Sequence, residues 1–312
     1  MIKRVTSAQL SVNETFEILK NHIQNGTSDK RVCIVTGTHG DELEGQYVCY
    51  LVNKILKENI DNLNGTVDIY PALNPLGVNA MTRGVPQFDL DMNRIFPGNE
   101  NGTFVEYTAS RIMEDLKGAD VVIDIHASNI FLTEVPQVRV NEKSAEALLP
   151  LAKELNTDFI WIHSSATVLE STLAYSLNSI QTPCLVVEMG VGMRITKEYG
   201  NQLTQGLFSL MKKIGIWSGN TEVPREPYIG RDEDNCVSFV NASSSGIFLP
   251  SAKHYCYLTK GEEIGTIINP LTGDIDEVLL SPSDGRLFTI REYPVVYEGS
   301  LIARILDTNR TK

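Results

Sequence analysis

None of the five cysteines, Cys33, Cys49, Cys184, Cys236 and Cys256, stands at C-x-x-C spacing from another. That scatter and the odd count argue against a disulfide framework and for buried free thiols in a reducing compartment. No apolar run approaches eighteen residues, so no membrane span is expected. The opening stretch "MIKRVTSAQLSVNETFEIL" has two basic residues but no apolar h-region. No signal peptide is expected, and the expected location is the cytoplasm. Basic clusters are absent too, and a formal charge of −12 disfavours nonspecific binding to nucleic acid. A G-x-S-x-G elbow does not occur, and "SAT" (165–167) offers hydroxyls without one, which disfavours a serine hydrolase.

What is present suits a folded enzyme. At 42% hydrophobic residues, a chain of 312 can bury a core as one large domain or two smaller ones. Short β-branched runs recur at "RVCIVTG" (31–37), "TVDIYPAL" (66–73), "ADVVIDIHA" (119–127), "DFIWIH" (158–163) and "PCLVVEMGV" (183–191). Their apolar continuity predicts strands covered on both faces. Between them, 41–59, 108–118, 142–155 and 199–215 carry apolar positions at helical spacing, so an α/β layered core is expected. After "WSGNTEVPREP" (217–227) the helical periodicity ends and short β-rich pieces follow, punctuated by turns. The boundary falls between an α/β domain over 1–225 and an all-β module over 226–312.

The chemistry gathers where the runs end. In "TGTHGDELEG", His39 and Glu42 lie three residues apart where strand gives way to helix, so both can converge on one point. Glycines 37, 40 and 45 allow a sharp turn there. A nitrogen and a carboxylate suit zinc, but a catalytic site needs a third protein ligand. His126 closes the run "VVIDIHA", and strand ends of an open α/β sheet collect at one edge. Taken singly, each histidine reads as a hydrogen-bonded core or turn residue; together with Glu42 they read as a metal site. Glu188 is delivered by "CLVVEMG" to another strand end, where it could serve as general base. The loop "NAMTRGVPQFDLDMNRIFPG" (79–98) holds Arg83, Asn93 and Arg94, suited to carboxylates or a developing oxyanion. For such arginines the plainer alternative is pairing with Asp89 or Asp91.

In order, "GTHGDELEG", "TR" with "DMNRIFPG", "DIHAS" and "VEMG" resemble the succinylglutamate desuccinylase/aspartoacylase family, within the carboxypeptidase-like zinc hydrolases. The motifs lie between residues 36 and 190, and the layout of the rest resembles the family's predicted-deacylase branch. The resemblance implies a carboxypeptidase-like mixed sheet with helices on both faces. It implies one zinc ion per chain on His39, Glu42 and His126, with Glu188 as base and Arg83 as carbonyl or oxyanion stabiliser. Asn93 and Arg94 would clamp a substrate carboxylate. The family's usual "DLNR" is "DMNR" here, a change that packing should tolerate. Asp124, two residues before His126, could orient a ligand imidazole.

The C-terminal part resembles the β-rich tail of these deacylases, similar to a biotinyl/lipoyl-type barrel-sandwich, and is expected to flank the site's mouth. Lys260 in "LTKGEE" reads as a turn lysine, not a carrier lysine. His163 reads as a hydrogen-bonded strand-end residue, and His22 and His254 as surface or interface residues. The implied activity is zinc-dependent hydrolysis of a small N-acyl amino acid or related amine. A metallocarboxypeptidase, an esterase and a noncatalytic binding protein are the competing readings. The expected partner is a small N-acyl substrate, with neither nucleic acid nor membrane; a homo-oligomer stays open.

Overall fold

The computed structural model describes residues 1–164 and 170–311, so the "SAT" stretch lies outside the described residues. The chain opens with an antiparallel hairpin, β1 (Ile2–Gln9) and β2 (Thr15–Asn25). Strand β3 (Arg31–Thr36) leads into α1 (Glu44–Glu58), and β4 (Gly65–Tyr70) into the short α2 (Pro75–Ala80). After a long loop come α3 (Phe104–Leu116), β5 (Val121–His126) and β6 (Leu132–Asn141). The α/β part ends with α4 (Ala145–Ala152), β7 (Phe159–His163), α5 (Leu173–Ser179), β8 (Cys184–Gly190) and α6 (Lys197–Ile214).

Strands β4, β3, β5 and β8 run parallel, in that order, at the centre of a large mixed sheet. Every residue of β4 and β5 is buried, because helices cover both faces. Val32 and Ile34 pack with Val48 and Val52 of α1 and Leu203 and Leu207 of α6. Their neighbours Cys33 and Val35 point the other way, against Val105 and Ile112 of α3 and Leu173 and Leu177 of α5. This alternation is the period of two that a strand imposes. Thr103 and Glu106 form a capping box that fixes the start of α3. No helix among the described residues is long and apolar enough to cross a membrane.

Two parts of this sheet lie outside the expected strands. The hairpin β1–β2 pairs through β2 with β4, and β6 runs antiparallel beside β8. Polar residues interrupt both segments. On β2, Lys20 is buried with Asp68 at 3.1 Å and Asp115 at 2.7 Å, and His22 lies 2.7 Å from Asp68. His22 is therefore partly buried and paired; its partner exists only once β2 meets β4. His254 is likewise half-buried, 3.0 Å from the Phe288 carbonyl. The five cysteines are free, and four of them are buried.

The β-rich part comprises β9 (Tyr228–Arg231), β10 (Val237–Asn241), β11 (Gly246–Pro250), β12 (Tyr257–Leu258) and β13 (Glu263–Ile268). It continues through β14 (Ile275–Leu280), β15 (Gly285–Arg291), β16 (Val295–Val296) and β17 (Leu301–Leu306). Strands β14, β13, β11 and β16 make a separate antiparallel sheet. Its Phe248, Ile264 and Ile267 share a core with Leu287 of β15 and Ile302 of β17, a sandwich arrangement. The other strands join the large sheet. Ladder β6 divides: its first residues pair with β15, its last with β7, and β9 extends from β7. Between α6, which ends at Ile214, and β9, which begins at Tyr228, the chain passes from α/β to β structure within a continuous hydrogen-bonded sheet.

Candidate active site

The carboxyl ends of β3, β5 and β8 meet at one edge of the parallel centre. His126 is the last residue of β5, whereas His39 and Glu42 lie in the turn between β3 and α1. Three glycines make that turn possible, for different reasons. Gly37 takes φ +65°, a region glycine enters without strain. At Gly40 and Gly45 the issue is space: a Cβ would come within 1.9 Å of Gly77 and of Thr36 respectively.

Glu42 sits between the two imidazoles. Its Oε1 lies 2.7 Å from His39 Nδ1 and its Oε2 lies 2.9 Å from His126 Nδ1. All three residues are buried, and one ligand atom from each lies within 4.8 Å of the others. The outer ring nitrogens both face aspartates: His39 Nε2 is 3.0 Å from Asp91, and His126 Nε2 is 3.1 Å from Asp124. A carboxylate behind an imidazole is the usual support of a metal-binding histidine. Asp124 is fully buried, yet neither of its oxygens has a well-formed hydrogen bond among the described residues. Such a carboxylate calls for positive charge nearby.

The electrostatics agree with that need. Burial pulls His126 down, but Asp124 and Glu42 outweigh it and hold its pKa well above the ordinary histidine value. At His39 burial is likewise outweighed, by Asp91 and Glu42. Burial would raise Glu42, but His126 and His39 bring it down to about 2. Two proton-seeking imidazoles around an ionised carboxylate are a set from which a divalent cation displaces protons. Two nitrogens and a carboxylate fit zinc, with room for a further ligand.

Arg83 and Asp91 close one side of the site. Asn74 fixes the loop that carries Arg83, accepting from Gly77 N at 2.9 Å and donating to the Gly84 carbonyl at 3.0 Å. Arg83 donates to Glu42 at 3.0 Å and to Asp91 at 3.2 Å, so the aspartate pairing weighed for this arginine exists, inside the site. Asn93 accepts from the Leu173 N–H at 2.9 Å and so anchors the start of α5; its amide nitrogen is left as a donor. Arg94 is exposed and donates to the Asn93 carbonyl at 2.8 Å.

Glu188 lies on β8, with burial pushing its pKa up against the opposing pull of Arg139 and His126. Arg139 Nη1 stands 3.4 Å away. A cavity of about 840 Å³ connects these groups and is lined by all eight residues singled out in the sequence. His163 lines it too, 3.5 Å from Asp232.

A family model for the succinylglutamate desuccinylase/aspartoacylase catalytic domain matches residues 28–214, more than half of the chain. The chain belongs to this family. N-alpha-acetyl-L-2,4-diaminobutyric acid deacetylase of Halomonas elongata is 24% identical over 281 residues, 87% of this chain and 80% of that protein. Among solved structures, succinylglutamate desuccinylase/aspartoacylase from Rhodobacter sphaeroides superposes with a TM-score of 0.80 at 24% identity, covering 98% of this chain and 95% of that one. The product-bound ectoine utilization protein EutE (DoeB) from Ruegeria pomeroyi gives a TM-score of 0.82 at 20% identity, covering 96% and 92%. The mixed α/β fold is thus that of the family's known structures.

Among the cavity residues that the sequence did not point to are Arg139 and Glu134 on β6 and Arg304 on β17. Their signal was faint, a few charges inside β-branched runs. Glu134 and Arg139 gain meaning only when β6 is placed against β8, and Arg304 only when β17 follows β15 into the sheet.

Proposed function

We propose that the chain is a zinc-dependent deacylase that hydrolyses the amide of a small N-acyl amino acid. The observation that carries this reading is the meeting of the buried His39–Glu42–His126 group with Glu188 in one cavity that Arg83 and Arg94 also line. The deacetylase relative supports an acyl-amide substrate. His39, Glu42 and His126 would hold the metal, with Asp91 and Asp124 fixing the two imidazoles from behind. Zinc, when bound there, supplies a Lewis acid for the acyl oxygen and lowers the pKa of water.

The chain's own groups do the rest. Glu188 takes the proton from the attacking water and returns it to the departing nitrogen, a task helped by a carboxyl whose pKa burial has raised. Arg83 keeps Nη2 without a partner among the described residues and is the donor for charge developing on the acyl oxygen. Arg94 and the Asn93 amide nitrogen face the substrate carboxylate.

Mass spectrometry of a pooled panel of N-acyl amino acids, with short peptides and esters added, tests this reading. The panel would include N-alpha-acetyl-L-2,4-diaminobutyrate and run with zinc-loaded and chelated protein. Release of a free amino acid that chelation abolishes is the expected result. Cleavage of peptides alone would replace the deacylase by a carboxypeptidase, and silence with zinc bound would overturn the activity.

A further inference from the structure

We propose that Arg304, from the C-terminal β part, is a positioning residue for Glu188, acting through Glu134 and Arg139. The inference rests on the reading of Glu188 as general base. It starts from a row of residues in register across four strands. Phe239 of β10 pairs with Arg304 of β17, Arg304 with Thr289 of β15, and Thr289 with Glu134 of β6. Phe239 and Trp161 flank the Arg304 guanidinium at 5.7 and 5.8 Å from their ring centres, which holds it in place.

Glu134 is the hub of the row. It is almost fully buried and accepts from Arg304, from Arg139 Nη2 at 2.9 and 3.1 Å, and from Thr289 Oγ1 at 3.3 Å. Arg139 reaches past it, placing Nη1 3.4 Å from Glu188. Arg304 makes no hydrogen bond or ion pair with Glu188 among the described residues, and its charge reaches Glu188 only at longer range; the chain of contacts between them runs through Glu134 and Arg139.

The charges show why Arg304 matters. Two guanidinium groups and two carboxylates make a neutral set in a poorly solvated place. Without Arg304, two carboxylates compete for the single guanidinium of Arg139. Glu134 keeps 1% of its side-chain surface in water and Glu188 keeps 17%, so Glu134 has the stronger claim. Arg139 then turns its full fork to Glu134, and Glu188 loses the group that fixes its carboxylate. By neutralising Glu134, Arg304 leaves Arg139 free to hold Glu188. A strand of the C-terminal part thereby sets the geometry of a residue on β8.

The test uses full-length Arg304→Met, Arg139→Met, the double variant and Glu188→Gln, each checked for zinc content. Crystal structures give a readout that needs no turnover: in Arg304→Met the Arg139–Glu188 contact should open beyond about 4 Å, the limit of an ion pair. A contact that stays at 3.4 Å would overturn the proposal. Kinetics on N-alpha-acetyl-L-2,4-diaminobutyrate and 4-nitrophenyl acetate should show kcat lower by about tenfold in Arg304→Met with KM within twofold. The double variant should be no worse than Arg139→Met, because the two residues act in series. Additive losses, or a raised KM at unchanged kcat, would make Arg304 a direct binding residue and sink the relay. Arg304→Gln keeps a donor beside Glu134 without the charge, and carries both arms if Arg304→Met does not fold. Parental activity in Glu188→Gln would refute the general-base reading instead, while the crystallographic arm still decides whether Arg304 governs the contact.

Discussion

His126 and Glu188 stand opposite one another across the parallel β5–β8 ladder. One inter-strand step of roughly 4.8 Å therefore separates the backbone of a proposed metal ligand from that of the proposed base. Both ride on strands of the sheet, where packing on two faces limits their movement. The turn that supplies His39 and Glu42 is pinned to the same edge by the Glu42–His126 contact.

Glu188→Gln keeps the shape of the side chain and removes its basicity. It should lower kcat by about two to four orders of magnitude, the range of a general base, with KM and bound zinc little changed. Steady-state kinetics with metal analysis checks this, and a parental kcat would remove Glu188 from the mechanism.

Removing a ligand should show without any substrate. His126→Ala takes away one of the three proposed donors and leaves Glu42 and Asp124 short of positive charge, so zinc content should fall well below that of the parent. In the intact protein, zinc at about 100 times its Kd should stabilise the fold by about 2.7 kcal/mol. Thermal melting with and without a chelator measures that gain, and an unchanged Tm on adding zinc to the stripped protein would count against the site.

Asp91 is contacted by both His39 and Arg83, and His39 and Arg83 outweigh burial to hold its pKa well below the usual carboxylate range. Asp91→Asn should loosen both partners. About a 10- to 100-fold loss of zinc affinity is expected, read by competition with a fluorescent chelator. Affinity equal to the parent would show that His39 needs no support from the loop.

A pH effect is expected at His163. Burial, and then the charge of Arg139, lower its pKa to about 4, against an ordinary 6.5. The unfolded chain therefore takes up this proton as pH falls through 6.5, while the folded chain resists it until about 4. Stability contributed by the neutral ring is complete above 6.5 and is lost across that window as pH falls. Urea midpoints of metal-free protein at pH 7 and pH 5 should differ less in His163→Gln than in the parent. Equal differences in the two proteins would show that His163 does not resist protonation.

Much of this protein was set by the chain itself. Runs such as "VCIVT" and "VVIDIH" dictate covered strands, because continuous β-branched apolar residues need neighbours on both faces. A histidine and a glutamate three apart beside Gly37 dictate a turn in which both can face one point. Local spacing could carry that information because those residues are close in sequence. It could not carry β6, whose Glu134, Pro136 and Arg139 break the apolar run, nor β2, whose Lys20 is tolerated in the interior only beside Asp68 and Asp115. The pairing of Arg304 with Glu134 spans 170 residues. Its partners are chosen by strand order and register, and a shift of one residue would turn the guanidinium to the opposite face. The residues that lie on strand ends were therefore legible from the sequence; the charges that surround Glu188 were decided only when the strands took their places in the sheet.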